Sequence, residues 1–477
     1  MVDASITDFF TPRGIAIIGA SNKKGSPNNQ IVKYSKEMSK TGKIFPINPT
    51  VDEIEGLQSY SSLADIPEPV DLVVMAVGAK SAIQVAGDVK SRREARGDAG
   101  AVAIVTAGFK EMGTPEAIAL QEEMIGIMRS CGARVVGPNC QGIADFYNGV
   151  NTSFSLPPVT QKGGLSIVSQ SGALATSYLR WAKKQKMVGM NKFITLGNMA
   201  DVDVTEILEF LGDDPATTSI ALYLEGIADA RRFIDTAAQV TRNKPVTVLK
   251  AGRSTMGSDV ARSHTASIAG DDAIYNGAFK QAGVLRADSI ADFYHTGRVF
   301  DKMPLPKGNR ICLLTVIGGP STICVDALAA TGVGRLACFT ESFRKNARAI
   351  LAPASNVGSP DGYIDMTASV TPQMHTDIIS LIMQEDSIDA VLFLTSPPGF
   401  LGDGALARSI IDGYNSVPGE KKKPFFTVLM AGNDVADCGI ILEENGMPTF
   451  DMPDDAARVM SNMVRYAEYL KRIRSEQ

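Results

Sequence analysis

Short runs of apolar residues recur along this chain. Each closes in a turn of small residues and leads into a stretch where apolar positions return every three or four residues. The alternation predicts strands and helices in parallel α/β order. A first block holds predicted strands near Gly14–Ile18, Lys43–Ile47, Asp71–Val77, Ala101–Thr106 and Arg134–Val136. A second holds Leu165–Ser169, Lys192–Leu196, Ser219–Leu224 and Pro245–Lys250. A third holds Arg310–Val316, Arg335–Phe339, Ala390–Leu394 and Phe425–Leu429. Many of these runs are apolar at every position, as strands covered by helices on both faces require.

Punctuation divides the blocks. Lys302 to Asn309, with two prolines and a glycine, reads as a linker between the second and third. The first join is placed near Tyr147 to Lys162, around Pro157-Pro158. The expected organisation is three consecutive Rossmann-like or flavodoxin-like parallel-sheet domains, at 1–150, 151–302 and 309–477. Each block opens alike, with a strand, a small-residue turn and a helix. The turns are Gly19-Ala20-Ser21, Ser169-Gln170-Ser171-Gly172 and Gly318-Gly319-Pro320-Ser321. Three mononucleotide-binding-like units would give such a repeat. A chain of 477 residues also exceeds what one core fills.

Composition narrows the function classes. Hydrophobic residues make up 44% and charged residues 21%, with a formal net charge of −5. The longest basic run is Lys421 to Lys423, so no nucleic-acid footprint is expected. No run approaches the ~20 apolar residues of a membrane helix. The N-terminal MVDASITDFF lacks the pattern of a secretory signal. The expected setting is the cytoplasm, with no membrane and no nucleic acid. The six cysteines are scattered without a CxxC pair, and no metal site is expected.

Two turns carry candidate anion chemistry. In GIAIIGASNKKGS the small residues allow backbone N–H groups to approach a phosphate at a helix N-terminus, and the same pattern also suits an ordinary tight turn. The dinucleotide fingerprint is incomplete, since only Gly19 fits it. The second strand ends in Pro46-Ile47-Asn48-Pro49, without the acidic residue that holds a ribose. This disfavours a nicotinamide oxidoreductase and favours another phosphate-bearing ligand. The P-loop pattern is absent as well. In GGLSIVSQSGALATSYL, the amides of Ser171, Gly172 and Ala173 would open a second helix, and simple N-capping would use the same residues.

Of the three histidines, His295 and His375 lie in helical or turn contexts that suit packing. His264 lies in Arg262-Ser263-His264-Thr265-Ala266-Ser267-Ile268-Ala269-Gly270. This stretch is expected as a small-residue loop after the strand Pro245–Lys250 and before a helix starting near Asp271. α/β proteins keep their chemistry in such places, and an imidazole there serves either as nucleophile or as a local cap. Glu225, directly after the strand Ser219–Leu224, is placed to accept an imidazole N–H or to serve as a helix N-terminal acid.

The ordered series is IIGAS, IFPINP, DLVVMAV, IVTAGFKE, VVGPNCQGI, LSIVSQSGAL, KFITLGNMADVDVTEILEFLGDDP, LYLEGI, KPVTVLKAGR, SHTASIAG and FKQAGV. It resembles the α chain of ADP-forming acetyl-CoA synthetase and, more distantly, succinyl-CoA synthetase. The resemblance implies a phosphorylated histidine at His264, a supporting glutamate at Glu225 and a phosphate-cradling helix start at Ser171, Gly172 and Ala173. It places Gly19, Ala20, Ser21, Pro46, Asn48, Pro138 and Asn139 in segments that hold coenzyme A. It further implies an ATP-grasp β subunit carrying ATP or ADP and Mg²⁺, in an α2β2 assembly, and a small carboxylic acid as substrate. The third block departs most, with Ile317-Gly318-Gly319-Pro320-Ser321 in place of a glycine-richer turn. A CoA-binding regulatory protein without catalysis is the alternative of another class, and retention of both His264 and Glu225 speaks against it.

Overall fold

In the computed structural model the first sheet is built from β1 (Ile15–Ile18), β2 (Ile44–Ile47), β5 (Leu72–Met75), β6 (Ala101–Ile104) and β7 (Arg134–Val136), in the order β2-β1-β5-β6-β7. All its pairings are parallel. A small antiparallel hairpin, β3 (Glu53–Ile54) with β4 (Leu57–Gln58), interrupts the second crossover. The structure describes residues 5–155, 161–184, 188–265, 272–396, 402–430, 432 and 436–476, and for 183, 184 and 261–265 it describes the backbone.

The second sheet comprises β8 (Ile143–Asp145), β9 (Val150–Asn151), β10 (Lys162–Ser169), β11 (Met190–Thr195), β12 (Ser219–Leu224), β13 (Val246–Lys250) and β14 (Leu285–Arg286). Its order is β14-β13-β12-β10-β11-β8-β9. β8 lies antiparallel to β11, and β9 antiparallel to β8. The sequence reading held no strand in 143–151. These two strands are short, and Asp145 and Asn151 break their apolar pattern while being fully buried. Asp145 is paired with Lys192 at 3.2 Å, which offsets the cost of burying it.

The third sheet holds β15 (Arg310–Thr315), β16 (Arg335–Leu336), β17 (Asn356–Val357), β18 (Tyr363–Asp365), β19 (Ala390–Thr395), β20 (Phe425–Leu429) and β21 (Thr449–Phe450). It runs β17-β18-β15-β19-β20-β21, with β16 paired to β15. The strand expected over Arg335–Phe339 is only two residues long. The fold class is α/β with three mostly parallel sheets, and the antiparallel pairs lie at sheet edges.

Helices cover the strands because local sequence starts and stops them. Ser26 caps the helix Pro27–Met38 with its hydroxyl, and proline fills the first position. Thr114 and Pro115 repeat the device at the helix Pro115–Ser130. Asp203 and Glu206 form a capping box at Val204–Asp213. Strand residues such as Ile15 to Ile18 and Ala390 to Thr395 are buried throughout, which explains their unbroken apolar runs.

Residues 1–183 and 189–286 form one compact unit, and 184–188 with 287–477 a second. In the first unit, Phe10 of the amino-terminal segment stacks on Phe210 at 5.0 Å, joining elements of the first and second sheets in one apolar cluster. The second unit has its own core, centred on β15, β19 and β20.

Candidate functional site

In the first two sheets the strand order reverses beside the first long strand, β1 in one and β10 in the other. The crevice at the carboxyl end of the strands is therefore opened between β1 and β5, and between β10 and β12. The residues singled out from sequence fall at these two places.

In the first sheet, Gly19 follows β1 with φ of +89°. A Cβ there would lie 2.6 Å from the carbonyl oxygen of Ala76, so only glycine lets the turn pass this close. Asn28 donates to Gly19 O at 2.5 Å and to Ala76 O at 2.7 Å, tying both sides of the crevice. Ala20 is buried, and its carbonyl accepts from Asn48 Nδ2 at 2.9 Å. Ser21 O accepts from Asn29 Nδ2 at 3.0 Å, and Ser21 Oγ from Lys23 N at 3.1 Å. Pro46 sits within β2, opposite Ile17. Gly19, Ala20, Ser21, Pro46 and Asn48 thus share one corner of the sheet. Pro138 and Asn139 follow β7, at the far end of the same carboxyl edge. Asn139 has φ of +58°, and its N–H donates to Thr106 O at 2.8 Å. Lys23 and Lys24 are exposed beside the first turn.

In the second sheet, the helix Gly172–Lys184 begins directly above the crevice. Ser171 Oγ accepts from Leu174 N at 3.4 Å, and Ser169 Oγ donates to Ser171 O at 2.6 Å. A Cβ at Gly172 would meet Gln141 Cγ at 2.4 Å, so the Gln141 side chain lies against the helix start. The first-turn amides of such a helix carry its positive dipole end toward the crevice.

Glu225 directly follows β12, the strand across this crevice, and is 5% exposed. Two side chains hold its main chain. Gln170 Oε1 accepts from Glu225 N and, at 3.1 Å, from Gly226 N. Lys250 Nζ donates to Glu225 O at 3.0 Å and to Ala251 O at 2.6 Å. Lys250 is itself buried, with its ammonium 4.9 Å from the centre of the Tyr275 ring. Burial lowers its pKa, with Asp272 opposing. Burial and the neighbouring Glu225 carboxylate raise the Tyr223 phenol to about 12. Sequence reading missed Gln170 and Lys250. Their signal is slight: a polar residue inside SQSG, and one charge closing an apolar strand.

His264 differs from expectation in its backbone. It lies in a helix, Thr255–Thr265, one residue from its end, rather than in a loop. Serine, glycine and threonine suggested an open turn, yet Ser254 accepts from Gly257 N at 3.0 Å and starts a helix there. The SHTASIAG residues from Ala266 to Gly270 lie outside the described residues. The next helix is Asp272–Gln281, one residue later than read. The helix bearing His264 follows β13, the strand adjacent to Glu225's β12.

The other two histidines pack. His295 is buried against Phe450, at 4.7 Å between ring centres, and burial with the Arg298 charge lowers its pKa well below the usual value. His375 is 1% exposed beside Phe393. Among the described residues no group of three or more His, Cys, Asp or Glu is placed to hold a metal ion, and no helix is long and apolar enough to cross a membrane.

Comparison with known proteins bears on the family and the fold. Residues 13–145 match the CoA binding domain family, and residues 162–300 the succinyl-CoA ligase like flavodoxin domain family. The α subunit of acetate–CoA ligase (ADP-forming) II from Pyrococcus furiosus is 38% identical over 464 residues, covering 96% of this chain and 97% of that one. An ADP-forming acetate–CoA ligase from Methanocaldococcus jannaschii is 33% identical over 98% of this chain, which spans 65% of that protein's length. A solved acetyl-coenzyme A synthetase 1 from Ca. Korarchaeum cryptofilum, in complex with phosphate and ADP, superimposes with a TM-score of 0.90 at 31% identity, covering 99% of each chain. The chain belongs to the α subunits of the nucleoside-diphosphate-forming acyl-CoA synthetases, which are acid–CoA ligases with CoA as substrate. Relatives named as α subunits imply a partner subunit.

Proposed function

We propose that this chain carries a phosphoryl group on His264 between a nucleotide and a carboxylic acid, and then passes the acyl group to CoA. The observation that carries the reading is the crevice between β10 and β12. There Glu225 is buried and held through its main chain by Lys250 and by Gln170, which lies two residues before the helix Gly172–Lys184. A carboxylate so held is suited to accept an imidazole N–H, fix the tautomer and stabilise the charge of the phosphorylated ring.

The reaction runs in three balanced steps. A ring nitrogen of His264 attacks the terminal phosphorus of ATP, forming a P–N bond as the P–O bond to ADP breaks. An oxygen of the substrate carboxylate attacks that phosphorus, the P–N bond breaks, and an acyl phosphate forms. The CoA sulfur then attacks the acyl carbon, and inorganic phosphate leaves as the C–O bond breaks and the thiol gives up its proton. The amides of Ser171, Gly172 and Ala173 stabilise the phosphoryl charge, which is greatest in the transition state. Gly19, Ala20, Ser21, Pro46, Asn48, Pro138 and Asn139 line the CoA site. In this reading 1–150 bind CoA, 151–302 bear the phosphohistidine and 309–477 form a third, mononucleotide-like unit.

ATP, ADP and Mg²⁺ bind an ATP-grasp β subunit, in an α2β2 assembly. The 65% coverage of the M. jannaschii protein supports this division of labour, because the remainder of a longer polypeptide leaves room for such a domain. The acid is small, acetate being the one named for the P. furiosus and M. jannaschii relatives. The test is turnover of ATP, CoA and acetate by the assembled enzyme. ADP and acetyl-CoA should form together, and Glu225→Gln should lower the rate by roughly two orders of magnitude or more, the usual worth of a pre-positioned group that stabilises developing charge. AMP as product, or an unchanged rate in Glu225→Gln, would contradict the reading.

A further inference from the structure

Between the two carboxyl edges of the first unit lies a polar joint that the reaction scheme does not use. Asn198 follows β11, and its side-chain Nδ2 donates to Glu111 Oε2 at 2.6 Å and to Gln121 Oε1 at 2.9 Å. Its Oδ1 accepts from Asn139 Nδ2 at 3.4 Å, and its N–H donates to Pro138 O at 2.9 Å. Glu111 spends its other oxygen on the amides of Gly108 (2.6 Å) and Phe109 (3.1 Å). Burial opposes the charge on Glu111, but these bonds and that from Asn198 outweigh it and hold the carboxyl below its usual pKa.

The backbone at the joint is bent to bring the turns together. Gly197 has φ of +53°, and a Cβ there would fall 2.1 Å from Pro138 O and 2.5 Å from Asn139 O. Asn139 and Met199 also have positive φ, at +58° and +50°. Such conformations in residues other than glycine cost energy and persist only where surroundings impose them. Three turns of the first sheet's carboxyl edge, after β5, β6 and β7, meet here, since Thr106 Oγ1 donates to Val77 O at 2.6 Å and Asn139 N to Thr106 O. On the other side, Gln170 Nε2 reaches Met199 Sδ at 3.5 Å, and the same amide holds the main chain of Glu225 and Gly226. A continuous set of contacts thus runs from the edge assigned to CoA to the residue assigned to His264.

We infer that Glu111 and Asn198 are positioning residues that fix the CoA-binding edge of the first sheet against the phosphoryl-transfer crevice of the second, and so set the approach of the thiol to the acyl phosphate. This rests on the function proposed above. Phosphorylation of His264 from ATP uses the second crevice and the partner, and the Glu111 and Asn198 side chains bond only to residues outside that crevice. Transfer to CoA requires the two edges to be in register, and a misplacement of 1 Å can cost roughly a hundredfold in such a step.

The test uses the full assembly and separates the two half-reactions. Asn198→Ala and Glu111→Gln should leave the amount and rate of phosphate label on this chain within about twofold of the parent. Acyl-CoA formation should fall by roughly ten- to a hundredfold, with a rise in KM for CoA. The double variant Glu111→Gln with Asn198→Asp restores the bond between the two positions in reversed order while losing the donor to Gln121, and should recover part of the loss. Label and acyl-CoA formation falling by the same factor, or no change in the CoA-dependent step, would overturn the role of the joint. Absence of label from the parent would instead strike the phosphohistidine reading on which the inference rests.

Discussion

At Gly197 the positive φ and the neighbouring Pro138 and Asn139 carbonyls leave no space for a side chain. Gly197→Ala should therefore destabilise the first unit by about 2 kcal/mol or more, because backbone rather than a flexible side chain would have to move. Urea unfolding of variant and parent measures this. His375 supplies a second residue-scale test. It is buried, neither ring nitrogen has a hydrogen-bond partner among the described residues, and desolvation lowers its pKa to about 4. Folded chains then keep it neutral where unfolded chains, with an ordinary pKa near 6.5, take up a proton. Its contribution is fully present above pH 6.5 and is lost as the pH falls toward 4, by about 3 kcal/mol in all. His375→Leu should make the loss of stability between pH 7 and pH 4.5 shallower by a comparable amount, read from denaturant midpoints at each pH. Sequence alone assigned His375 a packing role but held no sign of its unpaired nitrogens. Gln170 and Lys250 were also illegible, since a residue that grips another's backbone leaves no periodic or motif signal.

Among elements, the long strands were readable because helices cover both faces and most positions are apolar. β10, β12, β13, β15, β19 and β20 all came within a few residues of their predicted bounds. The short ones were not. β8 and β9 carry buried polar residues that depend on distant partners, such as Lys192 for Asp145. The sequence around His264 suits a loop because serine, glycine and threonine favour turns, and the helix capped by Ser254 is a local choice the same residues also permit. In the second unit the helix Ile290–Val299 is anchored by Arg298, whose Nη1 pairs with Glu443 Oε1 at 2.7 Å, with side-chain exposures of 1% and 3%. Arg298→Met would leave a buried carboxylate without its counter-charge. It should cost about 3 kcal/mol or more, seen as a lower melting temperature for that unit.

At the scale of the whole molecule, the three sheets and their repeated strand–turn–helix openings were visible from sequence, as was the ordered series of motifs that led to the family. The division into two compact units was not, because it depends on how many surfaces the first two sheets share. Phe10 and Phe210, two hundred residues apart in order of magnitude, stack in one core there. Separate cores predict two calorimetric transitions. Gly197→Ala should shift one of them, and Arg298→Met and His375→Leu the other. A single transition shifted by all three variants would contradict that division.

The central claim is the covalent step. The chain, assembled with its partner subunit, is to be incubated with Mg²⁺ and ATP labelled in the terminal phosphate, alongside His264→Ala in the same assembly. The expected result is label on the parent chain that survives base and is lost in acid, as a phosphohistidine is, and none on His264→Ala. An unlabelled parent with an active partner, or equal label on the His264→Ala chain, would contradict it.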